Sequence, residues 1–354
     1  MTRSQWLLAT LALAASVMVL TTGCSTASYY AASARGHLAI VRAARPVAEW
    51  LADPATPAPL KARLVLSQQM RDFAVTELGL PDNASYRRYA DLQRGAAIWN
   101  VVAAPELSLQ LSTWCFPVVG CVGYRGYYER AGADAFRASL QQQGLEVSVY
   151  PVPAYSTLGL LPFDRLKDPL LNTFIDDPEV DLARLIFHEL AHQVAFAGGD
   201  TTFNESFATT VERLGSARWL EQHASAPTRT EAERIDARRA DFRALTTRYR
   251  VALLALYEST ADAAAKRTAK AELMAALRQD HAQLKAERWG GYTGYDGWIA
   301  RANNASFGML AAYNELVPNF ERLFEREGRD FQRFYAEVQR LTTLTAPQRR
   351  EALP

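Results

Sequence analysis

DPEVDLARLIFHELAH, residues 177–192, combines the start of a helix with two histidines four positions apart. Asp177 is a favoured capping residue, Pro178 suits the first turn, and Glu179 complements the helix dipole. Apolar residues then recur at the spacing of an amphipathic helix with one buried face. The pair Gly198-Gly199 is typical of a helix end. We therefore expect one helix, running from Asp177 to this glycine pair, that carries a His-Glu-x-x-His motif.

The motif His188-Glu189-Leu190-Ala191-His192 has the spacing of a metal site. Residues four apart on a helix are offset by about 40° and point the same way, so two imidazoles can bind one zinc ion. Glu189 lies about 60° round from His192, where it can reach a metal-bound water without aiming at the metal. The alternative is a pair of core histidines, but a buried, unpaired glutamate between them would be costly. The pattern therefore favours zinc.

A third zinc ligand is predicted at Glu205, in the segment Asn204-Glu205-Ser206-Phe207-Ala208. A helix that leaves the Gly198-Gly199 turn can fold back antiparallel and present Glu205 to the metal. Two histidines and one glutamate form a known catalytic ligand set that leaves a fourth position for water. Alternatively, Glu205 is a helix-start glutamate that interacts with the dipole. Glu212, two turns further, is either a support for one of the histidines or an exposed surface charge.

Short strands precede the motif. Residues 24–94 are predicted to be N-terminal helices, with helical spacing over 31–51 and 60–78. Residues 95–160 are predicted to be a sheet-containing subdomain, with strands at 98–102, 107–111, 122–128 and 145–150 and a helix at 133–143. Pro151 and Pro153 follow the last strand, which places it at the edge of a sheet.

Helices dominate the rest of the chain. Residues 161–225 are predicted to hold the zinc-binding helices and residues 226–354 a helical C-terminal region. In that region the periodicity predicts one or two long amphipathic helices over 231–285, an irregular aromatic stretch at 289–298, and helices over 299–316 and 320–341. The predicted fold class is α+β, mainly α: a small antiparallel sheet packed on a zincin-like helical core with a long helical C-terminal region.

The first 23 residues are predicted to be a signal peptide. One charge, Arg3, precedes an apolar run, and Thr21-Thr22-Gly23-Cys24 follows. Small residues before a cysteine resemble a bacterial lipobox, in which the cysteine is lipidated and becomes the mature N-terminus. Ser25 after it is similar to Gram-negative lipoproteins of the outer membrane. We expect an exported, lipid-anchored protein facing the periplasm; the alternative is an ordinary signal peptide with Cys24 incidental.

Cys115 and Cys121 are the two cysteines that remain after Cys24. An even count in an oxidising compartment favours a disulfide, and Pro117 and Gly120 between them permit the chain to reverse. The alternative is a pair of free buried thiols. A metal site at these cysteines is disfavoured because no histidine is nearby in the sequence.

Composition and missing motifs exclude several classes of function. The 354 residues include 39 basic and 38 acidic residues, whereas a nucleic-acid binder usually carries a basic surplus. No apolar run after residue 23 reaches the roughly 18 residues of a membrane span. The nucleophile elbow of serine hydrolases, the phosphate loop and the dinucleotide fingerprint are missing as well. The sequence gives no indication of the oligomeric state.

His188 to His192 followed by Asn204-Glu205 resembles the gluzincin metallopeptidases, and residues 204–212 are similar to the NEGFAxxxE pattern of membrane alanyl aminopeptidases. This resemblance implies His188, His192 and Glu205 as zinc ligands and Glu189 as general base. Twelve residues separate His192 from Glu205, fewer than in those families. A nearer resemblance is to a family of exported bacterial proteins called putative aminopeptidases. It rests on residues 114–117 with Cys121, 124–127, 154–159, 187–193, 204–208 and 303–305.

A peptidase also needs a donor for the oxyanion that forms when water attacks the carbonyl. Tyr295 and Tyr313 are the predicted catalytic donors, with Asn304 a further candidate and His281 a weaker one. Alternatively, Tyr295 belongs to a packed aromatic cluster in the stretch 289–298.

The strand at 145–150, continuing into residues 154–157, is either an edge that binds extended peptide or an ordinary sheet edge. Glu146 and Asp164 flank it, but the sequence does not tie either to the cleft, and a GxMEN strand is missing. We therefore expect a peptidase with one Zn²⁺ and a peptide substrate, with aminopeptidase as the first hypothesis. The alternatives are an envelope endopeptidase of the same mechanism and a non-catalytic zinc-binding lipoprotein scaffold.

Overall fold

The computed structural model describes residues 27–116, 120–154, 156–159 and 163–354. The predicted signal peptide and Cys24 lie outside the described residues. Helices make up most of the described chain, and the strands form small sheets of two or three strands. The predicted α+β, mainly α class is confirmed.

The N-terminal helices are broken by a proline. Helix α1 covers residues 27–43, and α2 is Val47–Ala52 and α3 Ala58–Thr76. The single helix expected over 31–51 is wrong, because residues Arg45–Pro46 are extended as strand β1 and pair with β2, Arg88–Ala90. Proline has no backbone donor for a helix interior. Strand β2 also pairs in parallel with β8, Leu170–Leu171.

A three-stranded antiparallel sheet forms the centre of the middle region. Its central strand is β3, Ile98–Pro105, between β6, Arg125–Tyr127, and β7, Leu145–Val152. Helix α4, Arg130–Gln142, connects β6 to β7 and packs on the sheet. Among the described strands β7 has β3 as its one neighbour, so the predicted edge position is confirmed.

The strand predicted at 107–111 is wrong. The chain turns after Pro105 and has no strand before Trp114. Leu109 and Leu111 instead pack against separate apolar clusters that involve the C-terminal helices. The alternating apolar pattern is satisfied by this burial without sheet pairing.

A disulfide hairpin lies next to the sheet. Strands β4, Trp114–Phe116, and β5, Gly120–Val122, pair with Cys115 opposite Cys121, and the two cysteines form the predicted disulfide. The continuous strand expected over 122–128 is wrong, since β5 and β6 belong to different sheets. Gly120 has φ +74°, and a Cβ there would lie 2.7 Å from the backbone nitrogen of Gly199. Glycine therefore lets the hairpin lie close to the turn that follows the His-Glu-x-x-His motif.

The motif helix α5 is Glu179–Ala191, and α6 is Thr201–His223. The predicted cap by Asp177 is wrong: Pro178 occupies the cap position, no side chain caps the helix, and Asp177 lies in the preceding turn. The helix also ends well before the glycine pair, with His192 as its C-terminal cap residue.

Two long helices form a hairpin in the C-terminal region. They are α7, Ala226–Glu258, and α8, Ala263–Glu287. Of the one or two long helices predicted over 231–285, the structure has two. The helices expected over 299–316 and 320–341 are each interrupted. The remaining helices are α9, Asp296–Ala300; α10, Asn304–Asn314; α11, Val317–Arg326; α12, Phe331–Thr342; and α13, Ala346–Ala352.

The largest apolar core joins distant parts of the sequence. It combines buried residues of the N-terminal helices, α5, α6 and the last three helices, with Phe187, Phe207, Phe320 and Phe334 fully buried within it. A second core lies between the α7–α8 hairpin and α10. In the described part of the chain, no helix combines the length and apolarity that a membrane crossing needs.

Candidate metal centre

Close packing of α5 against α6 brings the motif and Glu205 together. The turn between the helices is fixed by Asn204, whose side chain accepts a hydrogen bond from the Ala197 nitrogen at 2.7 Å and donates one to the Ala197 carbonyl at 2.9 Å. Gly215 on α6 lies against Phe187 on α5, where a Cβ would come within 3.0 Å of the ring. A glycine at this position allows the two helices to approach.

The side chains of His188, His192 and Glu205 are buried and converge on one point. One carboxylate oxygen of Glu205, Oε2, lies 3.3 Å from Nε2 of His188 and 3.7 Å from Nε2 of His192. Ligand atoms about 2.1 Å from a tetrahedral zinc lie roughly 3.4 Å from one another. The observed separations fit that geometry.

An unsatisfied buried atom supports a metal at this point. Oε2 of Glu205, which faces Nε2 of both histidines, is buried and lacks a hydrogen-bond partner among the described residues. A buried carboxylate oxygen without a donor is costly, and a cation removes that cost. These three residues can hold a metal ion, and the ligand set is compatible with zinc.

Electrostatics favour the binding of a cation at two of the three residues. Burial lowers the pKa of His192 to about 4, so that its imidazole is neutral at pH 7. Burial opposes ionisation of Glu205, but the neighbouring His192 and His188 outweigh it and hold its pKa below the usual value. Burial also lowers the pKa of His188, whereas the neighbouring carboxylates of Glu205 and Glu212 raise it well above its ordinary value, so a metal ion at Nε2 would displace a proton from this ring.

Glu212 supports His188 from α6. Its Oε2 atom lies 2.9 Å from Nδ1 of His188, on the side of the ring opposite Nε2. A carboxylate at Nδ1 fixes the ring orientation and directs the Nε2 lone pair to a metal. The structure therefore agrees with the first of the two interpretations given for Glu212.

Glu189 lies at the junction of two cavities. One has a volume of about 1030 Å³ and the other about 320 Å³, and both are lined by Val152, His188, Glu189 and Tyr313. Burial raises the pKa of Glu189 to about 7. A carboxyl group that titrates near neutral pH can both accept and return a proton.

A family model described as "Putative aminopeptidase" matches residues 28–353. The chain belongs to this family. No curated protein and no solved structure matches the chain. Membership in the putative aminopeptidase family supports peptide hydrolysis as the activity, with a peptide as substrate. The match includes α5, α6 and α10, which supply the side chains at the centre.

Three tyrosines surround the centre of this family member. The Tyr313 ring lies 6.1 Å from the His188 ring at an angle of 24°, and its hydroxyl lies close enough to Glu205 to contribute to the lowered pKa of that carboxyl group. Tyr124 lines the smaller cavity, and Tyr124 and Tyr150 pack in one cluster with Tyr313. Burial raises the pKa of all three, so each keeps a neutral hydroxyl.

Sequence reasoning found Tyr313 but missed Tyr124 and Tyr150. Tyr124 follows the disulfide hairpin, within a segment that matches the family, and Tyr150 is at the end of β7. Neither residue belongs to a catalytic motif, so only the fold brings them to the metal centre.

Other predicted residues lie elsewhere. Asn304 is wrong as an oxyanion donor, because its amide donates to the carbonyls of Pro105 and Glu106 and accepts from Tyr257. His281 lies 3.6 Å from Asp296 and packs near Trp289. Glu146 pairs with Lys270, and neither it nor Asp164 lines the two cavities.

Tyr295 belongs to an aromatic cluster and also lines the larger cavity. Its ring stacks on Phe242 with centroids 4.1 Å apart, and it contacts Trp289 and Tyr292. The same cavity contains Glu189 and Tyr313. The catalytic role of Tyr295 stays a prediction.

Proposed function

We propose that this protein is a zinc-dependent aminopeptidase of the gluzincin type. His188, His192 and Glu205 bind the zinc ion, and Glu189 is the general base. The observation that carries the proposal is the convergence of three buried ligand atoms beside a carboxyl group that lines both cavities. A structural zinc site has no need of such a base, which favours an enzyme over a non-catalytic scaffold.

Bound zinc supplies a Lewis acid for the peptide carbonyl and lowers the pKa of water. Glu189 takes the proton from the attacking water and passes it to the leaving amine, a cycle suited to its pKa of about 7. The neutral Tyr313 hydroxyl, which lies near Glu205, donates a hydrogen bond to the developing oxyanion. Glu212 holds His188 in place throughout.

The two cavities support an exopeptidase. Tyr29 and Ser33 of α1 line the smaller cavity and also line a separate cavity of about 800 Å³, so α1 is a partition between the two spaces. The smaller cavity is therefore bounded by α1 on the side that faces the separate cavity. It can hold the side chain of one N-terminal residue, whereas the larger cavity accepts the following residues.

The edge strand gives the peptide a direction. Val152 and Pro153 line the larger cavity, and Ala154 and Ser156 line the smaller one. A peptide that adds antiparallel to this segment has its N-terminal residue in the smaller cavity and its C-terminal part in the larger one. This orientation is the one that an aminopeptidase requires.

The sequence before residue 27 supports a place in the cell envelope. We propose lipidation at Cys24 and attachment to the outer membrane, facing the periplasm. The Cys115–Cys121 disulfide is consistent with an oxidising compartment. With Cys24 as the anchor, α1 and the cavity wall that it forms lie within a few residues of the lipid.

The decisive experiment measures metal content and cleavage of a mixed peptide library. It compares wild type with Glu189→Gln, and with Glu221→Gln as a control for an exposed glutamate on α6. We expect about one zinc per chain in all three proteins and loss of cleavage in Glu189→Gln alone. Removal of single N-terminal residues supports the aminopeptidase, and internal cuts indicate the endopeptidase. Zinc without any cleavage by wild type overturns the enzyme and supports the scaffold.

A further inference from the structure

The larger cavity contains an unusual concentration of charge. Four arginines line it together with Glu189 and Tyr313: Arg184, Arg213, Arg239 and Arg243. The first three have carboxylate partners. Arg184 lies 2.6 Å from Asp236, Arg239 lies 2.9 Å from Asp181, and Arg213 lies 3.1 Å from Glu321.

Arg243 has no such partner. Among the described residues its side chain makes neither an ion pair nor a hydrogen bond, although it is partly buried on α7. Burial lowers its pKa, and the charges of Arg213 and Arg239 lower it further, whereas the charge of Asp236 opposes the fall. An arginine nevertheless stays protonated at neutral pH. The guanidinium is therefore a partly desolvated cation near two other cations, and the nearby Asp236 is already paired with Arg184, so an anion from solution would stabilise Arg243.

The shape and position of the group favour a carboxylate. A guanidinium is planar and presents a fork of donors that matches a carboxylate in two hydrogen bonds. In the orientation proposed above, the C-terminal part of the peptide enters the cavity that Arg243 lines. A cavity of about 1030 Å³ suits a small ligand. A short peptide brings its own C-terminal carboxylate into this space.

We propose that Arg243 forms a carboxylate subsite that selects short peptides with a free C-terminal carboxylate. The inference rests on the proposed peptidase function and deepens it. The subsite distinguishes peptide digestion products from the N-termini of long chains, whose terminal carboxylate lies far from the cavity. Arg243 is a specificity residue and takes no part in the chemical step.

The test uses the full-length, zinc-loaded protein and three peptides: leucyl-alanyl-alanine, its C-terminal amide, and leucyl-aspartyl-alanine amide. Hydrolysis is measured with wild type, and binding is measured by calorimetry with Glu189→Gln, which is expected not to cleave the peptide. Each of these two proteins is then given Arg243→Gln, Arg243→Lys or the control Arg234→Gln, and the measurement is repeated. Arg234 is an exposed arginine on the same helix. Circular dichroism and a melting curve verify that each variant is folded.

We expect wild type and Arg234→Gln to favour the free acid over its amide by about tenfold to a hundredfold, mainly in KM and in binding. Arg243→Gln removes the preference while cleavage of the amide persists, and Arg243→Lys retains part of it. Equal treatment of acid and amide by wild type overturns the subsite while the peptidase stands. A preference for the aspartyl amide alone overturns the C-terminal selection and assigns the subsite to acidic side chains. If no peptide is cleaved but binding still depends on the carboxylate and on Arg243, the peptidase proposal fails and the subsite stands. If no peptide is cleaved and binding does not depend on the carboxylate or on Arg243, both proposals fail.

Discussion

Nδ1 of His188 lies 2.9 Å from Oε2 of Glu212, and both Glu212 and the predicted ligand Glu205 come from the same face of α6. The two glutamates are seven positions apart, which is close to two full turns of a helix. In the proposed zinc site, one helix therefore contributes a ligand and also the group that orients a second ligand. Metal affinity is then expected to depend on Glu212, a residue that does not touch the metal.

We expect Glu212→Ala to lower zinc affinity by roughly tenfold to a hundredfold, because the His188 ring loses its orienting partner. Glu212→Gln keeps an acceptor for Nδ1 and should lose less. Competition with a chromogenic chelator measures both affinities, and Glu221→Gln serves as the control on α6. Unchanged affinity in Glu212→Ala would show that the contact does not position the ligand.

The two predicted catalytic tyrosines differ in their surroundings. Tyr313 lies beside His188 and lines the smaller cavity with Glu205, whereas Tyr295 stacks on Phe242. We expect Tyr313→Phe to lower kcat by about a hundredfold or more with zinc content unchanged, as for loss of an oxyanion donor. Steady-state kinetics on one peptide compares it with Tyr295→Phe. A larger loss of kcat in Tyr295→Phe than in Tyr313→Phe would identify Tyr295 as the oxyanion donor.

The convergence of the three candidate metal ligands could be predicted from the sequence because their geometry is local. His188 and His192 occupy one face of one helix, and Glu205 follows after a short turn. The end of α5 could not be predicted in the same way. Apolar periodicity continues past His192, but the Asn204 side chain binds both backbone groups of Ala197 and fixes a turn there.

The cavity walls depend on tertiary packing, and the sequence does not show them. Tyr124 lies in the loop before β6, Tyr150 in β7 and Tyr313 in α10, and the three meet only when the sheet and α10 pack together. The failed strand at 107–111 has a similar origin. Leu109 and Leu111 alternate as in a strand, yet Leu109 is buried and Leu111 half-buried against helices. A period of two in the apolar residues does not distinguish a strand from a loop packed in this way.

Helix α1 controls the size of the smaller cavity. Gly36 lies against the Tyr128 ring, where a Cβ would come within 2.1 Å of Cγ. We expect Gly36→Ala to displace α1 and to cost about 1–3 kcal/mol of stability. The wall at Tyr29 and Ser33 then opens, and cuts after the second or third residue should appear. Mass spectrometry of the products measures this.

A matched control for Gly36→Ala is Gly95→Ala, because a Cβ at Gly95 meets nothing within 4 Å. Its products should remain single N-terminal residues. If Gly36→Ala is destabilised yet still releases single residues alone, α1 does not limit the position of the cut.

The disulfide hairpin stabilises the region next to the motif turn. Cys115 and Cys121 close a short loop, and Gly120 between them contacts Gly199. We expect Cys115→Ser with Cys121→Ser to lower the free energy of unfolding by about 2 kcal/mol, from the loop entropy of the unfolded chain. Urea unfolding measures the change. A reducing agent should lower wild-type stability equally and leave the double variant unaffected; equal sensitivity of both proteins would contradict the prediction.

The pKa of Asp168 predicts how the free energy of unfolding depends on pH. Burial raises its pKa from 3.8 to about 6, although hydrogen bonds from Thr157 and the charge of Lys167 oppose the rise. The folded state holds this proton more tightly than the unfolded chain. Its stabilising effect is therefore complete below about pH 4 and is lost as the pH rises through 6.

Asp168→Asn removes this titration and keeps an acceptor for the Thr157 nitrogen. Relative to the variant, wild type should lose roughly 2.5 kcal/mol between pH 4 and pH 8. Urea unfolding of both proteins across this range, with zinc removed so that metal release does not contribute, gives the difference at each pH. A constant difference would mean that Asp168 titrates normally. A difference of the opposite sign would mean that the Thr157 hydrogen bonds stabilise the charged carboxylate more than burial destabilises it.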